Sequence, residues 1–393
     1  MLPLFPRASI TRASDRHRRS NLLYRLLLGL LIVLTIAPSA WPLPLHAQSS
    51  PLVLIVDTDP GVDDALALTW LLSQRERPIQ FLGIVSVFGN TSRDSAANNI
   101  LTVLEMNNRT DIPVYRGSET PLTQSPTLTG WFIHGPDGLW GLSASHPHDV
   151  TALPDQAVTF YCQMAAAYHG ATILALGPLT NLARAAAACP TDLATMRIVV
   201  LGGAKFGGNK SAVAEFNFWQ DPEAVQQVLD SGLRPQIVPF DAFGRLSVNQ
   251  QVVDKLLRKG NGAVQMLSGA INQYAAVQMQ NGGAIAFPDL AAAVFAAEAA
   301  PASALPALIE MTVTPARLRG QSVVALSIPE RLALIADETE LNNLALQAFT
   351  DPAFNLQTAF GTLLARRPDN AQWVSALDSK SLLQAIERGL NAP

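Results

Sequence analysis

The chain is poor in cysteine and in charge: it has two cysteines in 393 residues, and only 15% of its side chains are charged. Two cysteines exclude a disulfide scaffold, and Cys162 and Cys189 lack the spacing of a zinc site. Both are expected in the core. Sequence alone leaves open whether they pair, because pairing needs their Cα atoms within bonding distance. No spacer rich in Gly, Ser or charge divides the middle, and no internal repeat is visible, so a repeat architecture is excluded and one domain is favoured over two. A hydrophobic content of 49% excludes a disordered chain. Basic charge is also scarce in the body. Six arginines and one aspartate precede Gln48, leaving 21 basic against 30 acidic side chains, a net −9. That balance argues against nonspecific nucleic-acid binding.

The first 47 residues differ from the rest. Arg16, Arg18, Arg19 and Arg25 precede the apolar run LLLGLLIVLTIA at 26–37, and small residues follow up to Ala47. This is the layout of a secretory signal, with cleavage expected near Ala47. The run is shorter than the roughly 20 residues that span a bilayer. The expectation is residues 1–47 as a signal peptide or uncleaved anchor and 48–393 as the folded body, a single functional domain. That body is expected to be exported, periplasmic or extracellular, with no stable membrane insertion once the signal is cleaved.

From Leu52 onward, short apolar runs alternate with helical stretches. The runs at 52–56, 81–87, 172–176, 197–201 and 236–240 read as buried parallel strands. Thr91 to Met106 and Asp221 to Leu229 carry apolar residues at helical spacing, with Asp or Ser near their starts. The expected fold is α/β: a single Rossmann-like domain with a mostly parallel central sheet flanked by helices. Ligands of such sheets bind at the carboxyl ends of the strands.

The first strand end reads DTDPGVDDALAL, with Asp57, Asp59, Asp63 and Asp64 inside eight residues. Four carboxylates that close repel one another unless positive charge sits among them. An oxygen-only set suits a hard cation, Ca²⁺ or Mg²⁺. A helix start capped by solvated acids is the plainer reading of one or two such residues. An EF-hand would need Glu at the twelfth position, which is Leu68, and an aspartyl phosphatase motif is interrupted by Pro60.

FGN at 88–90, HGPDGL at 134–139, ALGPLTNLA at 175–183 and LGGAKFGGNKSAVAEFNFWQDPEA at 201–224 follow in order. Together with the acidic loop, over about residues 52–365, the chain resembles the nucleoside hydrolase family, the inosine/uridine-preferring N-ribohydrolases. The resemblance implies Ca²⁺ held by Asp59, Asp64, Asp289 and the carbonyl of Leu176. It implies Asp59 as general base toward water attacking the anomeric carbon. It also places Asp63, Asn90, Asn209, Glu215 and Asn217 around the ribose hydroxyls, where carboxylates stabilise an oxocarbenium-like transition state. Asp57 would orient ligands without touching substrate. The expected reaction is hydrolysis of a ribonucleoside to ribose and free base, in salvage; the partner is that small molecule, and a homo-oligomer is open.

One position departs from the family. Where its members carry a His before the late Asp, this chain has Pro288 before Asp289. Outside the leader the histidines are His134, His146, His148 and His169, all in the first half. Either His134 contacts the base, or Trp131, Trp140 or Tyr274 activates the leaving group by stacking. Two alternatives stay open: a non-catalytic nucleoside- or ribose-binding protein, and a hydrolase of another N-riboside.

Overall fold

The computed structural model describes residues 41–42, 51–75, 77–124, 130–244, 247–282 and 284–391. The expected signal segment lies almost wholly outside them. No described helix is long and apolar enough to cross a membrane.

The chain divides into two compact units, one of Ala40–Val324 with Asp369–Pro393 and another that includes Ala325–Pro368. The larger is built on a sheet of strands β1 (Trp41–Pro42), β2 (Leu52–Thr58), β3 (Ile79–Ser86), β4 (Val114–Arg116), β5 (Thr172–Ala175), β6 (Arg197–Leu201), β7 (Gln236–Val238), β8 (Ala302–Thr312), β9 (Gln321–Ala325) and β10 (Ala371–Leu377). The order is β1-β8-β10-β7-β6-β5-β2-β3-β4, with β9 on β8. From β4 to β10 every neighbouring pair is parallel, while β8 is antiparallel to both β10 and β1. The expected α/β class is observed.

The five expected strands are present with shifted ends. The run at 236–240 stops at Val238 because Pro239 offers no N–H to the ladder and opens the short helix Phe240–Phe243. The antiparallel edge was not visible in the sequence: β8 contains Pro306, which weakens a strand reading. The stretch after 365, expected as a last helix with Trp373, is instead β10 followed by the helix Ser379–Leu390. Trp373 is buried on that strand.

Helices cover the sheet: α1 (Val62–Leu72), α2 (Arg93–Met106), α3 (Trp131–His134), α4 (Ala157–Ala167), α5 (Thr180–Ala188), α6 (Phe216–Gln220), α7 (Pro222–Asp230), α8 (Ser268–Gly282) and α9 (Pro288–Ala296). α1 is buried from Val62 to Leu71 and α9 from Asp289 to Ala296. Beyond the acids of their first turns their sequences are almost wholly apolar, as expected of helices sunk in a core, and they pack on each other. Cys162 of α4 and Cys189, which ends α5, form a disulfide with Cα atoms 5.7 Å apart. Both are half-buried, where the core was expected.

The smaller unit holds the helices Ile328–Ile335, Glu338–Thr350 and Leu356–Arg366. Leu332, Ala336 and Leu363 form its own apolar cluster. Ser327 caps the first of these helices, with Glu330 bonding back to the cap.

Candidate active site and metal centre

β3 and β5 flank β2 on opposite sides, so the chain reverses its direction across the sheet at the β2–β5 pair. A crevice opens at the carboxyl ends of the strands at such a point. The acidic loop leaves β2 there, and Leu176 and Gly177 leave β5 beside it.

Asp59 is fully buried. Its Oδ2 accepts the backbone N–H of Asn90 at 2.6 Å, while its Oδ1 has no hydrogen-bond partner. The approach is close enough to require glycines. A Cβ on Gly89 would lie 2.0 Å from Asp59 Oδ2, and one on Gly177 would lie 2.7 Å from Oδ1. Asp64 is the anchored member. It accepts the Thr58 hydroxyl at 2.5 Å, the Gly61 N–H at 3.0 Å and the Asn90 amide at 3.3 Å.

Asp63 and Asp64 stand in the first turn of α1, and Asp289 stands in the first turn of α9. Two packed helices thus aim their positive ends at one place, which favours carboxylates there. Pro288 fits the same geometry, since the first helical position has no N–H to satisfy. Ligand atoms of Asp63, Asp64 and Asp289 lie within 4.8 Å of one another, all buried. Asp63 and Asp289 each keep one buried oxygen without a partner, as Asp59 does.

Burial first, and then the neighbouring acids, push Asp59 and Asp289 well above the usual carboxylate range. The same causes bring Asp64 to about 7. A buried acid without a partner is costly, and a cation among these oxygens would relieve both the desolvation and the repulsion. The donor set fits a hard cation. Asp59 lies outside the tight threesome, and the Leu176 carbonyl accepts the Asn217 amide at 2.5 Å. The residues that the geometry brings together are therefore Asp63, Asp64 and Asp289, of which Asp63 was expected on the sugar side. Asp57 takes no part in the cluster; its carboxylate accepts the Tyr161 hydroxyl at 2.5 Å and the Asn181 amide at 3.2 Å.

Above the acids lies a cavity of about 480 Å³, within the usual range for small-molecule sites. Asp63, Asn90, His134, Asn209, Glu215, Asn217 and Asp289 all line it. Glu215 also caps α6, accepting N–H groups of Gly203, Asn217 and Phe218, and burial brings it to about 7. Asn217 donates to the carbonyls of Leu176 and Leu201. Asn209 is exposed and accepts the Phe216 N–H at 2.9 Å.

His134 is buried, and its Nδ1 accepts the Val62 N–H at 3.1 Å. Burial pulls its pKa down against the pull of Asp63, 3.7 Å away. The ring is therefore neutral with its proton on Nε2, the nitrogen left to donate to a ligand. Tyr274 lies against it, ring centres 5.4 Å apart, and lines the cavity. Trp131 and Trp140, the other aromatic candidates, do not. Trp131 is exposed, and Trp140 donates its indole N–H to the Ile133 carbonyl. Phe132, Phe216, Phe240 and Lys210 line the cavity in their place. Sequence reasoning missed them because they come from loops and helix starts, where no periodicity says which side faces a pocket.

Residues 54–384 match the family described as inosine-uridine preferring nucleoside hydrolase. The chain is 37% identical over 211 residues to uridine nucleosidase 1 of Arabidopsis thaliana, covering 53% of this chain and 61% of that protein. It is 34% identical over 235 residues to the pyrimidine-specific ribonucleoside hydrolase RihB of Shigella sonnei, covering 58% and 72%. The structure superposes on the plant nucleoside hydrolase PpNRh1 with a TM-score of 0.71 at 26% identity, covering 87% of this chain and all of that one. With the acidic loop at the sheet reversal and the cavity above it, these likenesses show that the chain belongs to the inosine-uridine preferring nucleoside hydrolase family.

Proposed function

We propose that the protein is a Ca²⁺-dependent hydrolase of ribonucleosides, cleaving the N-glycosidic bond to release ribose and free base. The observation that carries this reading is the set of three buried carboxylate oxygens, on Asp59, Asp63 and Asp289, left unsatisfied beneath a polar cavity. Asp63, Asp64 and Asp289 would hold the ion, with Asp59 beside them. A hard cation held there would neutralise the carboxylates and make the attacking water more acidic.

The chain's own groups supply the rest. Asp59 Oδ1 takes the proton of the water, and the Asn90 N–H on Oδ2 fixes the carboxylate's orientation. Asn90, Glu215 and Asn217 face the cavity and receive the sugar hydroxyls. The acids also stabilise the positive charge that grows on the sugar ring as the C–N bond opens. His134 lines the cavity with Nε2–H left as a donor, which supports it as the group that would bond the leaving base, since Pro288 has no donor to give. The disulfide supports an exported protein acting in an oxidising compartment.

Pro288 favours one second reading, a nucleoside-binding protein that does not turn over. Ribose release from inosine, adenosine, guanosine, uridine and cytidine separates the two. Release from at least one, abolished by EGTA, supports the hydrolase; calcium-dependent calorimetric binding with no release supports the receptor.

A further inference from the structure

α9 delivers Asp289 into the acid cluster at the end of the stretch Ile285-Ala286-Phe287-Pro288. How that stretch is anchored sets where Asp289 stands. Ile285 is buried and exchanges both backbone hydrogen bonds with Val248, at 2.7 and 3.3 Å. Ala286 finds its partners on α8. The Gln278 amide oxygen accepts the Ala286 N–H at 2.9 Å, and the Gln278 amide nitrogen donates to the Ala286 carbonyl at 3.0 Å. The Tyr274 hydroxyl, one turn earlier on the same face of α8, donates to that carbonyl at 2.9 Å. A side-chain amide thus takes the place of a neighbouring strand, exchanging two bonds with one residue.

From Ala286 the chain runs directly into the helix. Phe287 is fixed through its ring, which stacks on Tyr274 with centres 5.5 Å apart. Pro288 has no N–H with which to anchor itself. The Ala291 N–H then bonds to the Phe287 carbonyl at 3.1 Å and opens the ladder of α9. Asp289 stands in that first turn and keeps one buried oxygen without a hydrogen bond, so its place is inherited from its backbone. Gln278 is half-buried and lines the cavity, yet both polar atoms of its amide are engaged with Ala286. A group at a cavity wall that bonds the backbone is suited to holding the wall, not to reading a ligand.

We infer that Gln278 is a positioning residue: clamped on Ala286, it fixes the first turn of α9 and so the place at which Asp289 meets Asp63 and Asp64. The step from that place to a bound cation rests on the reading of the three acids as a metal site. Groups that hold a metal ligand in position are worth about 10- to 100-fold in metal affinity. Gln278 acts at one remove, through the backbone of residues 286–289, and touches neither the cation nor the sugar.

The test uses the purified protein with its Gln278→Met and Gln278→Ala variants. Leu363→Ala, which loosens the smaller unit's own cluster, controls for a general loss of stability. Calorimetry should give a calcium Kd raised at least about 10-fold in both Gln278 variants and unchanged within about twofold in Leu363→Ala. With calcium saturating, the ratio of kcat/KM for uridine over inosine should stay within about threefold of wild type, because the amide serves the backbone and not the base. A calcium Kd unchanged in the Gln278 variants overturns the inference, and a shifted base preference in its place would make Gln278 a reader of the base. If the wild type takes up no calcium, the metal reading fails, and hydrogen exchange of the Ala291 amide decides. Exchange faster by about 10-fold in both Gln278 variants keeps the positioning role, whereas equal exchange overturns it as well.

Discussion

Asp59 is held against two glycines whose missing side chains make room for its carboxylate. A methyl group at Gly177 would press on Asp59 Oδ1 at 2.7 Å and on a methyl of Val87 at 2.8 Å, both buried side chains. Gly177→Ala is therefore expected to lower kcat for ribose release by at least about 100-fold while the circular dichroism spectrum is retained, because misplacing a reacting group by an ångström costs that much. An unchanged kcat would contradict the role given to this carboxylate. His134 tests the leaving-group side. His134→Ala should lower kcat by about 100-fold on bases that need a donor, the ordinary worth of a positioned acid. Equal rates on all five nucleosides would show that the ring only packs.

Glu215 makes a pH prediction. Its folded carboxyl is pushed up to about 7 by burial, against an ordinary 4.5. Between those values the folded chain keeps a proton that the unfolded chain has lost, so this group's contribution to stability falls as pH rises through the window. Denaturant unfolding at pH 5 and pH 8 should show wild type losing on the order of 2 kcal/mol more than Glu215→Gln over that interval. An equal loss in both would contradict the burial-raised pKa.

At the scale of elements, the site is a meeting of helix starts. α1 brings Asp63 and Asp64, α9 brings Asp289, and α6 begins at Glu215. The acidic loop was legible because four carboxylates after an apolar run have few structural explanations. Which of them converge was not legible, since it depends on how α1 packs on α9, some 220 residues apart. Asp57 shows the difference: it lies within β2, before the loop, and its carboxylate is taken up by Tyr161 and Asn181. Those two partners stand on α4 and α5, the helices that the disulfide ties together. Replacing both cysteines by serine should cost about 3 kcal/mol in unfolding free energy, from the loop that the bond closes. A cost below about 0.5 kcal/mol would mean that the bond is absent in solution or redundant.

Across the whole molecule, five of the parallel strands were readable as apolar runs, and the reversal at β2 and β5 marks where a ligand of such a sheet binds. Strands β8 and β10 escaped because Pro306 and mixed polarity blurred their pattern. The cavity walls escaped as well, since Phe132, Lys210 and Phe240 reach them only through tertiary packing. The central claim concerns the acids beneath that cavity. It is tested most directly by adding calcium back to EGTA-stripped protein and following ribose release beside the Asp59→Ala and Asp64→Ala variants. The account predicts that calcium restores turnover in the wild type and that Asp59→Ala binds calcium yet stays about 1,000-fold slower, with Asp64→Ala losing calcium binding itself. Turnover unaffected by EGTA, or an Asp59→Ala variant as fast as wild type, would contradict it.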